Sequence, residues 1–205
     1  DAIIQADHEG RIIYWNTAAE KIFGYPVQEA LGQPLHGLLL PARFRAAADK
    51  GFAHFEQTGT GPAVGKTTEL IALRKDGTEF LVELSISAMQ KDKTWHAIGI
   101  VRDITERKAA EMALLRTNRA LKTLSEGNMA LVRATSEQDL LNELTRILVQ
   151  TGGYSFVQIS YAEHDAAKTI TPMAFSAVAG MQMPPRSLTS ADSAEGQLPI
   201  SSAIR

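Results

Sequence analysis

A chain of 205 residues that is 44% hydrophobic and 21% charged has the make-up of a folded globular protein, with room for one large domain or two small ones. Its net charge of −2 offers no basic surface for nucleic acid or an anionic membrane. The chain has no cysteine, which excludes disulfides, thiolate catalysis, cysteine-based metal sites and covalently attached flavin or bilin. No apolar run reaches the roughly 18 residues of a spanning helix and no signal peptide opens the chain. The segment is therefore expected to be cytoplasmic, with any membrane anchor of the parent protein lying outside it.

The first half alternates short elements. AIIQAD (2–7) and RIIYW (11–15) are β-branched runs around His8-Glu9-Gly10 and predict a hairpin. NTAAEKIFGY (16–25) predicts a helix capped by Asn16 or Thr17 and stopped at Gly24, and PVQEALG (26–32) a shorter one. ARFRAAADKGFAHFEQ (42–57) predicts a longer Ala-rich helix weakened by Gly51. KTTELIAL (66–73) and TEFLVELSISAM (78–89) flank the tight-turn pair Asp76-Gly77, and WHAIGIVRD (95–103) follows Lys91-Asp92-Lys93. In the second of these strands Phe80, Val82, Leu84, Ile86 and Ala88 form one apolar face. The order predicts an α+β fold with a five-stranded antiparallel sheet and flanking helices.

At VRDITERK (101–108) strand gives way to helix. Asp103 can accept from backbone amides and from Thr105, so its carboxylate reads as a helix N-cap, and Glu106 falls in the first turn where negative charge is favoured. Ala110, Leu114, Thr117, Leu121, Leu124, Asn128 and Leu131 then recur at alternating spacings of four and three, a heptad seam that predicts pairing with a second copy. Packing on the helix's own domain is the alternative. Ser136 caps a further helix ending at Gly152-Gly153, followed by strands YSFVQISYAE (154–163) and TITPMAFSA (169–177); residues 178–199 read as loop. A helix, two strands and a loop cannot close a core, so this region reads as part of a domain.

DAIIQADHEGRIIYWNTAAEKIFGY, ELIALRKDGTEFLVELSIS and IGIVRDITERK together resemble the PAS domain family with its C-terminal PAC segment, over residues 1–105. NRALKTLSEGNMALVRATSEQDLLNEL, GGYSFVQISYAE and the closing AIR resemble the first half of a GAF domain. The expected organisation is a PAS/PAC sensor at 1–105, a signalling helix at 106–131 and a truncated GAF domain at 132–205. In the PAS family the Asp-Ile-Thr motif ends the last strand and starts the output helix, so Asp103, Thr105 and Glu106 are implied to form the signal junction.

The resemblance also implies a pocket. Alternation and family position give Phe52, Phe55, Leu70, Leu84, Ile86, Ile98 and Ile100 as its lining, a filled core being the alternative. Glu20 is expected to pair with Arg74 or Lys75. Within the haem-binding PAS group the iron ligand falls at Ala48 and an oxygen-holding arginine at Thr68, so haem is disfavoured; non-covalent flavin or a small apolar or carboxylate ligand stays open. No histidine pair stands at metal-ligand spacing.

What the resemblance implies is a sensory and regulatory module of a bacterial signalling protein, itself not an enzyme, that forms a homodimer through the PAS domain and linker helix. The output domain, a histidine kinase of a phosphorelay or a cyclic-di-GMP enzyme such as a diguanylate cyclase, would lie elsewhere in the same chain. A ligand-free dimerisation module and a haem or flavin sensor are the alternatives. An enzyme in its own right has little support: GTGPAVGKTTE (59–69) misses the phosphate-loop spacing from either glycine, and no nucleophile elbow occurs.

Overall fold

The computed structural model describes residues 1–166, 168–181 and the backbone of 188–189. The chain divides into two units, Asp1–Glu111 and Met112–Arg205, and one helix runs across the division.

The first unit opens with the hairpin β1 (Ala2–Ala6) and β2 (Ile12–Trp15), whose turn is closed by Gly10 at φ 77. Four helices follow: α1 (Thr17–Phe23), α2 (Val27–Ala30), α3 (Leu35–Leu39) and α4 (Ala42–Thr58). Strands β3 (Thr67–Leu73), β4 (Glu79–Lys91) and β5 (Thr94–Asp103) complete a sheet of order β2-β1-β5-β4-β3. Every pairing of these strands is antiparallel; short turns impose this on β1/β2, β3/β4 and β4/β5, while β1 and β5 meet from opposite ends of the unit. The last strand in sequence is the central one in space, so β5 touches both halves of the sheet.

Local chemistry explains the boundaries. Asn16 Oδ1 accepts from Ala19 N at 2.9 Å and starts α1, and Gly24 ends it in the left-handed region. Glu20 was expected to meet Arg74 or Lys75 and instead caps α2. Its Oε1 accepts from Val27 N at 2.6 Å, since Pro26 before that helix has no side chain able to do so. Arg74 and Lys75 turn to Asp103 and Glu29 respectively. Helix α3, not anticipated, sits between Pro34 and Pro41 and is too short to show a period. Helix α4 runs through Gly51 and stops at Gly59, where φ is +66 and an added Cβ would lie 2.4 Å from the Trp95 ring.

The core of this unit gathers Ile4, Ile12, Trp15, Phe23, Phe80, Val82 and Val101 between the concave face of the sheet and α1. Trp15, Phe23 and Phe80 form a chain of tilted and edge-on ring contacts at 5.5 and 5.6 Å.

Helix α5 (Thr105–Arg133) follows β5 after a single residue. In the second unit α6 (Glu137–Gln150) packs on a sheet of β6 (Phe156–Ala162), β7 (Thr169–Ala177) and β8 (Leu188–Thr189), in order β6-β7-β8. Ser136 caps α6 through a bond from Asp139 N at 3.1 Å. Ile147, Ile170 and Ala174 are buried between these elements. The segment expected as loop contains β8; its residues 182–187 and 190–199, and the AIR at 203–205, lie outside the described residues.

Candidate functional site

A cavity of about 320 Å3 opens between the sheet and helices α3 and α4. Of the residues expected to line it, Phe52, Phe55, Leu70, Leu84 and Ile86 do so. Ile98 and Ile100 do not: the β5 residues on the cavity are Ala97, Gly99 and Val101. Side chains alternate across a strand, so a reading off by one position turns every residue to the opposite face, and Ile100 is exposed. Ala48 is on the cavity wall, whereas Thr68, paired with Leu84 on the same face of the sheet as Leu70, is exposed and does not line the cavity.

One polar wall residue was not foreseen. His36, on α3, presents its ring to the cavity edge, with Nδ1 2.8 Å from Asp49 Oδ1 and the ring edge-on to Phe52 at 5.8 Å. The pairing joins residues 13 apart on two helices, and the only hint in the sequence was a histidine inside an apolar pentapeptide.

The second part of the site is the end of β5. Asp103 is the last residue of that strand, and its Oδ1 accepts from Thr105 N at 2.9 Å. The cap position itself is held by Ile104, one residue later than expected. Ile104 is fully buried, accepts from Lys108 N at 2.9 Å and donates its own N–H to Leu81 O at 3.0 Å. Asp103 thus forms a turn just ahead of the helix, holding its first amide, while Ile104 plugs the corner.

Asp103 Oδ2 meets Arg74 Nη2 at 2.5 Å. The same guanidinium donates to Ile22 O in α1 and stacks 3.7 Å over the Phe80 ring. One arginine therefore binds the C-terminal turn of α1, the core of the sheet and the strand-to-helix corner. Burial pushes the Asp103 carboxyl up, but the Thr105 amide and hydroxyl and the Arg74 charge outweigh it and hold the group below the usual carboxylate range.

Charges on the outer face of the sheet fix the first turn of α5. Glu69 and Glu83 stand directly opposite one another on β3 and β4, a repulsive pair on its own. Arg107 reaches Glu83 at 3.0 Å and Glu69 at 3.6 Å, and Lys108 reaches Glu69 at 2.9 Å. Glu106, expected at the junction, lies in this turn with no ion pair to any described residue. Further along, the seam residues Ala110, Leu114, Thr117, Leu121, Leu124, Asn128 and Leu131 are all exposed, its leucines by 60–64%.

An antiparallel five-stranded sheet with flanking helices, a cavity against one face and a polar corner leading into a long helix defines the fold class of this unit. The family model described as PAS domain matches residues 1–106, and the chain belongs to the PAS domain family. It is 34% identical over 114 residues to the sensor protein FixL of Bradyrhizobium diazoefficiens, covering 56% of this chain and 22% of FixL. An uncharacterized protein of Azorhizobium caulinodans is 34% identical over 116 residues, 57% of this chain and 16% of that protein. The chain thus spans less than a quarter of either relative. Among solved structures, the PAS domain of a Colwellia psychrerythraea protein is 31% identical, with a TM-score of 0.43, covering 51% of this chain and 86% of that one.

Proposed function

We propose that this chain is the sensory and regulatory segment of a bacterial signal-transduction protein. The PAS domain receives a signal in its cavity and passes it through the Asp103-Ile104-Thr105 corner to α5. That helix pairs with its twin along Ala110, Leu114, Thr117, Leu121, Leu124, Asn128 and Leu131 and relays to a GAF domain that begins near residue 132. An output domain elsewhere in the protein, a histidine kinase or a cyclic-di-GMP enzyme, is the target.

The observation that carries this reading is the path of one strand. Ala97, Gly99 and Val101 of β5 form cavity wall, and two residues beyond Val101 the same strand ends at Asp103, which holds the first amide of α5. A change in the cavity that shifts β5 therefore acts on the helix start through rigid, hydrogen-bonded backbone. The seam supports pairing because large side chains at heptad spacing stand in solvent, where burial would gain about 1.5–3 kcal/mol for each leucine.

The test is output in the intact parent protein and association of this chain. Asp103→Ala and Arg74→Ala should uncouple output from stimulus without unfolding the chain, and light scattering should return twice the chain mass. Unchanged regulation in both variants counts against the corner, and a monomer at every concentration counts against the seam.

A further inference from the structure

We infer that the cavity binds an uncharged, largely hydrocarbon molecule about the size of two fused aromatic rings, held at one end by a hydrogen bond to His36. That occupancy is then felt at α5 rests on the sensory reading above; the binding itself rests on the cavity alone.

Small residues keep the space open at positions that would accept larger ones. Ala47, Ala48 and Gly51 share one face of α4 with Phe52 and Phe55, all on the cavity wall. A Cβ added at Gly51 would meet nothing within 4 Å, and glycine inside a helix is disfavoured relative to alanine. Opposite it, Gly99 in the central strand would place a Cβ 3.4 Å from Leu84, an ordinary contact, and its φ is not left-handed. Neither glycine is demanded by the backbone. Both weaken their elements, and both leave volume.

Size and charge fix the ligand class. An apolar cavity of about 150 Å3 takes one benzene ring, so about 320 Å3 has room for roughly two. Among the described residues lining the cavity there is no Lys, Arg, Asp or Glu, so a buried carboxylate or ammonium would find no counter-charge. His36 is the one ionisable side chain in the wall. Its Nδ1 is engaged by Asp49, and Nε2 has no hydrogen bond to any described residue. In the neutral tautomer that keeps Nδ1–H on the carboxylate, Nε2 carries a lone pair able to accept from a ligand hydroxyl.

Calorimetric titration of the 205-residue chain with naphthalene, naphthol and naphthoate tests this. Naphthalene and naphthol should bind saturably, one to a chain, naphthol about two- to tenfold tighter through its hydroxyl. Naphthoate should bind at least about tenfold more weakly than naphthol. His36→Phe should erase the naphthol preference while retaining naphthalene. Gly51→Phe should fill the space and abolish all three, with the melting temperature kept or raised. Naphthoate binding as tightly as naphthol, binding that survives Gly51→Phe, or no saturable binding by a chain shown to be folded overturns the assignment. Hydrogen exchange at residues 105–108 separates the two readings. Binding that leaves this exchange unchanged upholds the site and overturns its link to the helix; a naphthol-induced change, lost in Gly51→Phe, supports both.

Discussion

Replacing Asp103 with alanine removes the acceptor for the first amide of α5 and the partner of Arg74 in one step. Loss of a side-chain acceptor at a helix start costs about 1 kcal/mol. The ion pair is about three-quarters sheltered, with side-chain exposures of 26% and 28%, and sits above the surface norm of roughly 0–1 kcal/mol. The two together predict a loss of about 2 kcal/mol, or a fall of about 8 °C in the melting temperature of a unit this size. Circular dichroism melts of the wild type, Asp103→Ala, Arg74→Ala and the double variant form a cycle that isolates the pair. The pH dependence has a definite sign. The native carboxyl titrates below its unfolded value, so its stabilisation is complete above about pH 3.9 and is lost as pH falls through the lowered native pKa. The gap between wild type and Asp103→Ala should be level from about pH 5 upward and close in strong acid. A gap under about 0.5 kcal/mol at neutral pH, or one that widens in acid, refutes the reasoning.

Gly59→Ala should cost at least about 2 kcal/mol in thermal or urea unfolding, because positive φ and a Cβ 2.4 Å from the Trp95 ring add their penalties; a neutral result would mean α4 does not end there. Raising salt from about 0.05 M to about 0.5 M should speed amide exchange at residues 105–108 by loosening Arg107 and Lys108 from Glu69 and Glu83. Arg107→Ala should reproduce that acceleration at low salt and remove most of the salt effect. Leu121→Glu with Leu124→Glu should leave the melting temperature of a dilute monomer unchanged, since both side chains are exposed, yet abolish association in light scattering.

Strands, turns and helix stops were legible where one residue decides the outcome: Asn16 and Ser136 as caps, Gly24 and Gly77 at positive φ, and the alternation of Phe80, Val82, Leu84 and Ile86. Reading failed where the signal was two-sided or non-local. WHAIGIVRD is apolar at both parities, so alternation offered no contrast, and the bulky isoleucines drew attention to the face that is not on the cavity. A cavity is marked by what is small, and Ala47, Ala48, Gly51, Ala97 and Gly99 look unremarkable in a sequence. Arg74 and Asp103 lie 29 residues apart, and only the register of β3, β4 and β5 brings them together. Glu20 went to the nearer claimant, the bare amide of Val27 at the start of α2, because a local backbone donor outcompetes a flexible cation held elsewhere.

The central claim, that β5 sets the start of a helix that pairs with its twin, is reached most directly by distance measurement. The chain has no cysteine, so Arg116→Cys carries a single spin label on the exposed surface of α5. Pulsed dipolar spectroscopy should return one short, narrow distance between the labels of two chains, broadening when Asp103 is also replaced with alanine. A signal with no dipolar coupling between chains, or a distribution indifferent to Asp103, contradicts the account.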